Sequence, residues 1–273
     1  MDHDVGVTDA PLGRVRTIVR YPVKSMAGEI LASCHVDGSG LAGDRRFGVV
    51  DDETGRVASA KQPRRWAGLL DLHAAYAGEP AAANLRITMP DGQIRAWTDP
   101  ALTFALGALS GRAVRLVETP YRDAQIERFG TEFDQKPGVE DDLPIGRLSP
   151  VGSLFDLAPL HLIASSTLDA LGDVRRFRPN LVIEDAGPAF VENTWINRTL
   201  RIGDTLTLGI IAATPRCVIP TLRQADLPGD PPLLRRINTA NRVDVQLVGP
   251  SPCAGVYAIV LTPGGVETSS MVR

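Results

Sequence analysis

From Arg14 to Tyr21 apolar and polar side chains alternate (RVRTIVRY). This is the period of a strand with one buried face, so ordered structure is expected to begin there, after a polar, acidic and disordered stretch at 1–11. Arg46–Asp51 (RFGVVD) and Arg56–Ala60 (RVASA) flank Asp52-Glu53-Thr54-Gly55 and predict a hairpin. Leu85–Met89 and Gln93–Trp97 flank Pro90-Asp91-Gly92 and predict a second, proline presetting φ for its turn. Asp99-Pro100 ahead of ALTFALGALSG predicts a helix: aspartate accepts from the orphan amides, proline takes the first helical position and Gly111 ends it. Residues 121–150 lose sustained periodicity and turn charged and rich in Pro and Gly, which predicts a linker or surface excursion. The second half resumes with a strand at His161–Ala164, a serine-capped helix over Ser166–Leu171 closed by Gly172, and a strand at Leu181–Glu184. Leu200–Ile211 alternates, Pro231–Ile237 fits one or two helical turns, and Val243–Val248 and Val256–Leu261 are rich in strand formers.

The class is therefore mostly β with short helices (α+β), divided into 12–120, a junction at 121–150, and 151–273. With 26 glycines and 21 prolines in 273 residues, composition also favours turns between short strands. The 29 Lys and Arg against 32 Asp and Glu give a net charge of −3, which excludes a strongly basic nucleic-acid binder. No run approaches the ~18 apolar residues of a membrane span, and the N-terminus carries acids where a signal peptide carries a basic region. A cytoplasmic protein is expected.

Cys34, Cys217 and Cys253 form no CxxC pair, so neither a disulfide framework nor a structural zinc site is indicated. His35, His73 and His161 stand singly in strand-like runs and receive no function, and His3 lies in the N-terminal stretch. GxGxxG after a strand, GxxxxGK[ST], HExxH and GxSxG are all lacking, which removes local support for dinucleotide, P-loop, zincin and α/β-hydrolase chemistry.

Two loops offer anion-binding parts: Tyr21-Pro22-Val23-Lys24-Ser25 at the end of the first strand, and Gly40-Leu41-Ala42-Gly43-Asp44-Arg45-Arg46 before the first hairpin. A cation beside a serine hydroxyl and glycine amides suits a phosphate, although either loop alone also reads as a solvated surface charge. Further on come Arg176-Phe177-Arg178-Pro179-Asn180, Phe190-Val191-Glu192 with Trp195, Leu200-Arg201-Ile202-Gly203-Asp204, and Pro215-Arg216-Cys217. In this order and spacing the series resembles the MOSC family, named after the C-terminal domain of molybdenum cofactor sulfurases, over residues 12–273. YPVKS and GLAGDRRF are similar to that family's N-terminal β-barrel domain. The ordered series is also similar to the amidoxime-reducing component branch and its bacterial relatives.

The resemblance implies an N-terminal β-barrel domain followed by a barrel-like MOSC domain, with a molybdenum cofactor (a molybdopterin) in a cleft between them. It implies that Cys217 is the thiolate ligand of the metal, a soft donor beside Arg216, which favours the deprotonated sulfur. Taken without the motifs, Cys217 reads as a small buried hydrophobe at a strand end. By the same resemblance Lys24, Ser25 and Arg45 hold the cofactor's phosphate and pterin, and Arg178 and Asn180 contact it from the second domain. Asn180 also reads as a turn residue after proline and Arg178 as the partner of a local acid. Asp156 corresponds to an aspartate near the metal, where a carboxylate of raised pKa orients water or relays a proton; it also reads as a cap or turn residue.

The implied activity is reduction of N-hydroxylated or related N–O compounds, a small-molecule substrate class, with electrons from a separate electron-transfer protein of ferredoxin or flavin-reductase type. A non-catalytic cofactor-binding or persulfide-carrying protein is the alternative. Two stretches depart from the family pattern: Val218–Gln224 and Leu227–Asp230 replace DPxTG, and Gly264–Ser270 reads GGVETSS where the family has a Gly-Asp pair. Cys34 and Cys253 match no ligand position and read as structural, with Cys253 semi-exposed beside Pro252.

Overall fold

The computed structural model describes residues 11–134, 137–145, 149–246 and 248–273. The N-terminal stretch 1–10 lies outside the described residues. Seven strands close into a barrel. Around it run Leu160–Ala164, Leu181–Glu184, Gly13–Arg20, Met271–Val272, Thr199–Ile202, Leu206–Pro215 and Gly249–Thr262, which returns to Leu160–Ala164 through Leu160 opposite Ala258. Leu160–Ala164 and Leu181–Glu184 run parallel, and the helix Ser165–Leu171 supplies the crossover that parallel neighbours require. The barrel interior is filled by Val15, Ile18, Leu162, Leu181, Leu200, Ile202, Leu208, Ile210, Val256 and others, the inward set of the alternation seen in the sequence.

Gly13–Arg20 is a wall strand of the barrel built otherwise by residues beyond 159, with Ile18 opposite Leu181. Its last residue hands directly to Tyr21, so the YPVKS loop is delivered to the barrel rim. The rest of the first half surrounds a second core of Val23, Met26, Phe47, Trp66, Leu72, Leu85, Ile87, Trp97 and Leu102. The hairpin of Leu85–Thr88 and Ile94–Ala96 forms as expected. So does the helix Pro100–Ser110, with Asp99 accepting from Ala101 N–H at 2.9 Å and Gly111 at φ 67°.

Four local expectations are corrected. The first hairpin has only one full arm: Phe47–Asp51 pairs along Val114–Glu118, while the other arm touches it by a single bridge, Val57 to Val50. Leu200–Ile211 is two antiparallel strands, because Gly203 turns the chain at φ 59°. No serine side chain caps the helix Ser165–Leu171; the Ser166 hydroxyl donates instead to Asp185, at 3.1 Å. Cys253 is fully buried, packed with Ala213 and Val245.

Residues 121–150 contain a hairpin of Gln125–Phe129 and Glu140–Pro144. Its Ile126 is buried with Val50, Val57 and Leu154, while its charged flanks pair as Arg128–Asp141 and Arg56–Asp142. The altered Gly264–Ser270 stretch still turns: Gly264–Glu267 pairs with Ser33–Asp37, and Ser269 takes φ 77°. The Ser270 hydroxyl closes that turn by accepting from Glu267 N–H at 3.1 Å. Among the described residues, no helix is long and apolar enough to cross a membrane.

Candidate functional site

A cleft opens where the barrel rim meets the loops of the first half, and all eight residues expected at the site line it: Lys24, Ser25, Arg45, Asp156, Arg178, Asn180, Arg216 and Cys217. The two N-terminal loops are joined by main-chain bonds, Arg45 N–H to Tyr21 O at 2.7 Å and Lys24 N–H to Phe47 O at 2.9 Å. Among the described residues eight non-glycine positions have positive φ, and Ser25 (66°), Arg45 (46°) and Arg178 (56°) are three of them. Side-chain-bearing residues occupy that region at a steric cost, and such residues concentrate where a side chain must be aimed.

At one end of the cleft two of its guanidinium groups lie over the ring of Tyr21, Arg178 at 4.4 Å and Arg45 at 4.8 Å from its centroid. Arg45 is tied to Asp44, whose side chain is fully buried and also accepts from Tyr21 N–H at 2.6 Å and Asn180 Nδ2 at 3.1 Å. Arg178 has no carboxylate within ion-pair distance among the described residues, which removes the reading of it as the partner of a local acid; it donates to Met26 O at 2.7 Å. Burial, with repulsion from Arg45, lowers the Arg178 guanidinium to about 10, and burial raises Tyr21 to about 12. Asn180 is more than a turn residue. Its Nδ2 donates to Val19 O and Asp44, and its Oδ1 accepts from His161 N–H and Arg45. With both donors and both lone pairs engaged, it fastens Asp44 and Arg45 to the barrel.

At the other end Asp156 bridges two lysines, Lys24 Nζ at 2.6 Å and Lys61 Nζ at 3.2 Å. Burial alone would raise its carboxyl, but the two ammonium charges, the Lys24 hydrogen bond and Arg45 outweigh that and hold it far below the usual carboxylate range. Asp156 is thus a fixed anion, and the expectation of a raised, proton-relaying carboxyl gives way to one in which the lysines carry the protons. Burial and repulsion from Lys61 lower Lys24 despite its carboxylate. For Lys61 burial opposes, yet Asp156 and the Cys217 sulfur raise it. Cys217 follows the strand Leu206–Pro215, half-buried and unpaired, against an apolar cluster of Ala60, Leu70 and Ile219.

Lys61, Thr214, Tyr257 and His161 also line the cleft and were not anticipated there. Lys61 lies just beyond a run read as a strand, and only its place beside Ala60 in the tertiary fold brings it to Cys217. His161 is buried on the barrel strand with Nε2 at 3.3 Å from Ala254 O, and burial together with Arg216 and Arg45 keeps it well below its usual range and neutral. Tyr257 is raised by burial and Asp156 to about 12, so its hydroxyl stays protonated.

Five cationic side chains and one carboxylate line the cleft. Such a lining is complementary to an anion, and the free thiol at one end is a soft metal donor. Two buried donors, Thr214 Oγ1 and Arg216 Nε, lack partners among the described residues, as atoms awaiting a polar ligand do. The residues therefore fit a negatively charged, metal-bearing cofactor.

The model of the MOSC N-terminal beta barrel domain matches residues 12–102, and that of the MOSC domain matches residues 156–273. The chain belongs to the MOSC family. MOSC domains are associated with binding of the molybdenum cofactor. The crystal structure of YiiM from Geobacillus stearothermophilus is similar over 55% of this chain and 73% of its own, at 12% identity and a TM-score of 0.32. A search of curated proteins finds no match. In this MOSC protein the two matched regions meet at the cleft, Lys24, Ser25 and Arg45 coming from the first and Asp156, Arg178, Asn180, Arg216 and Cys217 from the second.

Proposed function

We propose that the cleft holds a molybdenum cofactor with Cys217 as the protein ligand of the metal, and that the loaded protein reduces N-hydroxylated or related N–O compounds, in the manner of the amidoxime-reducing branch. The observation that carries this reading is the convergence, in one cleft, of a free cysteine with five cations drawn from both halves of the chain. When bound, the cofactor supplies the two-electron redox chemistry. The balance for an N-hydroxy group is one N–O bond broken, two electrons and two protons consumed, and N–H and water formed.

The residues divide the work. Arg45, Arg178, Lys24 and Ser25 bind and orient the anionic and planar parts of the cofactor, with Tyr21 as the surface on which both guanidinium groups lie. Asp156 keeps the Lys24 and Lys61 ammonium groups in place, and Lys61 Nζ, on the Cys217 side, holds a proton for the departing oxygen. Electrons come from a separate electron-transfer protein of ferredoxin or flavin-reductase type. A cytoplasmic setting agrees with three cysteines that are all free.

The experiment is turnover. Protein from a host competent in cofactor synthesis, given reduced viologen, is expected to convert benzamidoxime to benzamidine, and Cys217→Ser protein is expected not to. Cofactor-loaded wild type inert toward benzamidoxime and other N-hydroxylated compounds would make it a non-catalytic cofactor-binding protein; persulfide on Cys217 without molybdenum would make it a sulfur carrier.

A further inference from the structure

Thr214 is buried, and its Oγ1 has no hydrogen-bond partner among the described residues; two positions on, Arg216 Nε is buried and unpartnered as well. Both residues line the cleft, one on each side of Pro215 and just ahead of Cys217. The sheet explains their aim. Leu206–Pro215 pairs with Gly249–Thr262, with Ala213 opposite Val256 but Pro215 opposite Cys253, so the single residue Thr214 faces both Ala254 and Gly255. An extra residue in one strand re-aims the side chains beside it, a device found next to active sites.

This bulge is fixed. Gly255 has φ 81°, its N–H donates to the buried Glu192 carboxylate at 3.0 Å, and a Cβ on it would stand 2.2 Å from His161 Nε2. Arg216 is fixed too, by Nη2 donating to Phe177 O at 2.9 Å, and its Nε is a buried donor without a partner among the described residues. A fold that holds two polar atoms so firmly and leaves both unpaired bears a desolvation cost that a ligand would remove.

We infer that Thr214 Oγ1 and Arg216 Nε form a donor pair for an anionic oxygen of the bound ligand, which makes Thr214 a ligand-binding residue of the cleft. Arg216 Nε can only donate, so the atom it meets is an acceptor, and the cationic lining makes that acceptor anionic. The oxygen belongs either to the cofactor or to the substrate. The inference rests on the anion-binding half of the proposed function and not on its redox half.

The test uses Thr214→Val, which removes the hydroxyl at nearly constant shape, and Thr214→Ser, which keeps it. In ligand-free protein Thr214→Val is expected to melt no lower than wild type, because the hydroxyl it removes had no partner. The same variant is expected to bind inorganic phosphate on the order of ten-fold more weakly by calorimetric titration, with Thr214→Ser restoring affinity. Lower molybdenum content in Thr214→Val would assign the oxygen to the cofactor; unchanged content with raised KM and unchanged kcat would assign it to the substrate. A lower melting temperature in Thr214→Val would show a partner within the protein and overturn the inference. So would absence of phosphate binding to wild type, or phosphate affinity, metal content and KM all unchanged in the variant. Absence of molybdenum in every protein would count against the redox reading alone, since the phosphate titration would still report on Thr214.

Discussion

Asp44→Ala is expected to cost about 3–5 kcal/mol of folding stability, the range for removing one partner of a buried ion pair. The Asp44 side chain is fully buried and serves three donors from three segments: the Arg45 guanidinium, Tyr21 N–H and Asn180 Nδ2. Alanine leaves the Arg45 cation without its counter-charge, Tyr21 N–H without its acceptor and Asn180 Nδ2 with Val19 O alone. Because Asn180 stands on the barrel and Tyr21 and Arg45 on the loops, the same change should loosen the seam at the Arg45–Arg178 end of the cleft. Urea unfolding of wild type, Asp44→Ala and Asp44→Asn measures it, with the asparagine variant retaining an acceptor and losing less. A loss below about 1 kcal/mol in Asp44→Ala would mean that Arg45 is neutralised elsewhere.

Asp156→Asn is expected to destabilise the protein by about 1–2 kcal/mol, less than a fully buried pair because the side chain is 36% exposed to the cleft. The loss comes from leaving Lys24 and Lys61 to face each other with their shared counter-charge removed. Its pH dependence has a definite sign. The native carboxyl is held far below its unfolded value of about 3.9, so its contribution is complete above that pH and is lost as pH falls toward the native value. The stability gap between wild type and Asp156→Asn should be flat from about pH 5 to 8 and shrink below about pH 4. A gap that widened on acidification would contradict the assignment of Asp156 as a permanent anion.

The motifs carried the site further than the element pattern carried the fold. YPVKS, GLAGDRRF, RFRPN and PRC are short segments whose site residues lie at turns or element ends, and the seven side chains they supply reach one cleft with Asp156. Lys61 and Thr214 escaped notice for tertiary reasons. Lys61 meets Asp156 across 95 positions of sequence, and Thr214 owes its aim to a bulge whose extra residue lies on the partner strand, about 40 residues away. The membership of Gly13–Arg20 in the barrel was equally hidden, since alternation tells which face is buried but not which strand lies alongside. In the hairpin at 125–144 the charged side chains that obscured the period are held in ion pairs, Arg128 with Asp141 across it and Asp142 with Arg56 of the preceding segment.

Elemental analysis of protein expressed in a host competent for molybdenum cofactor, with wild type and Cys217→Ser purified side by side, tests the central claim most directly. Cys217 is half-buried at the edge of a small apolar cluster, so serine there should leave the unfolding midpoint nearly unchanged. The account predicts near-stoichiometric molybdenum in wild type and almost none in the variant; equal molybdenum in both, or none in wild type, would contradict it.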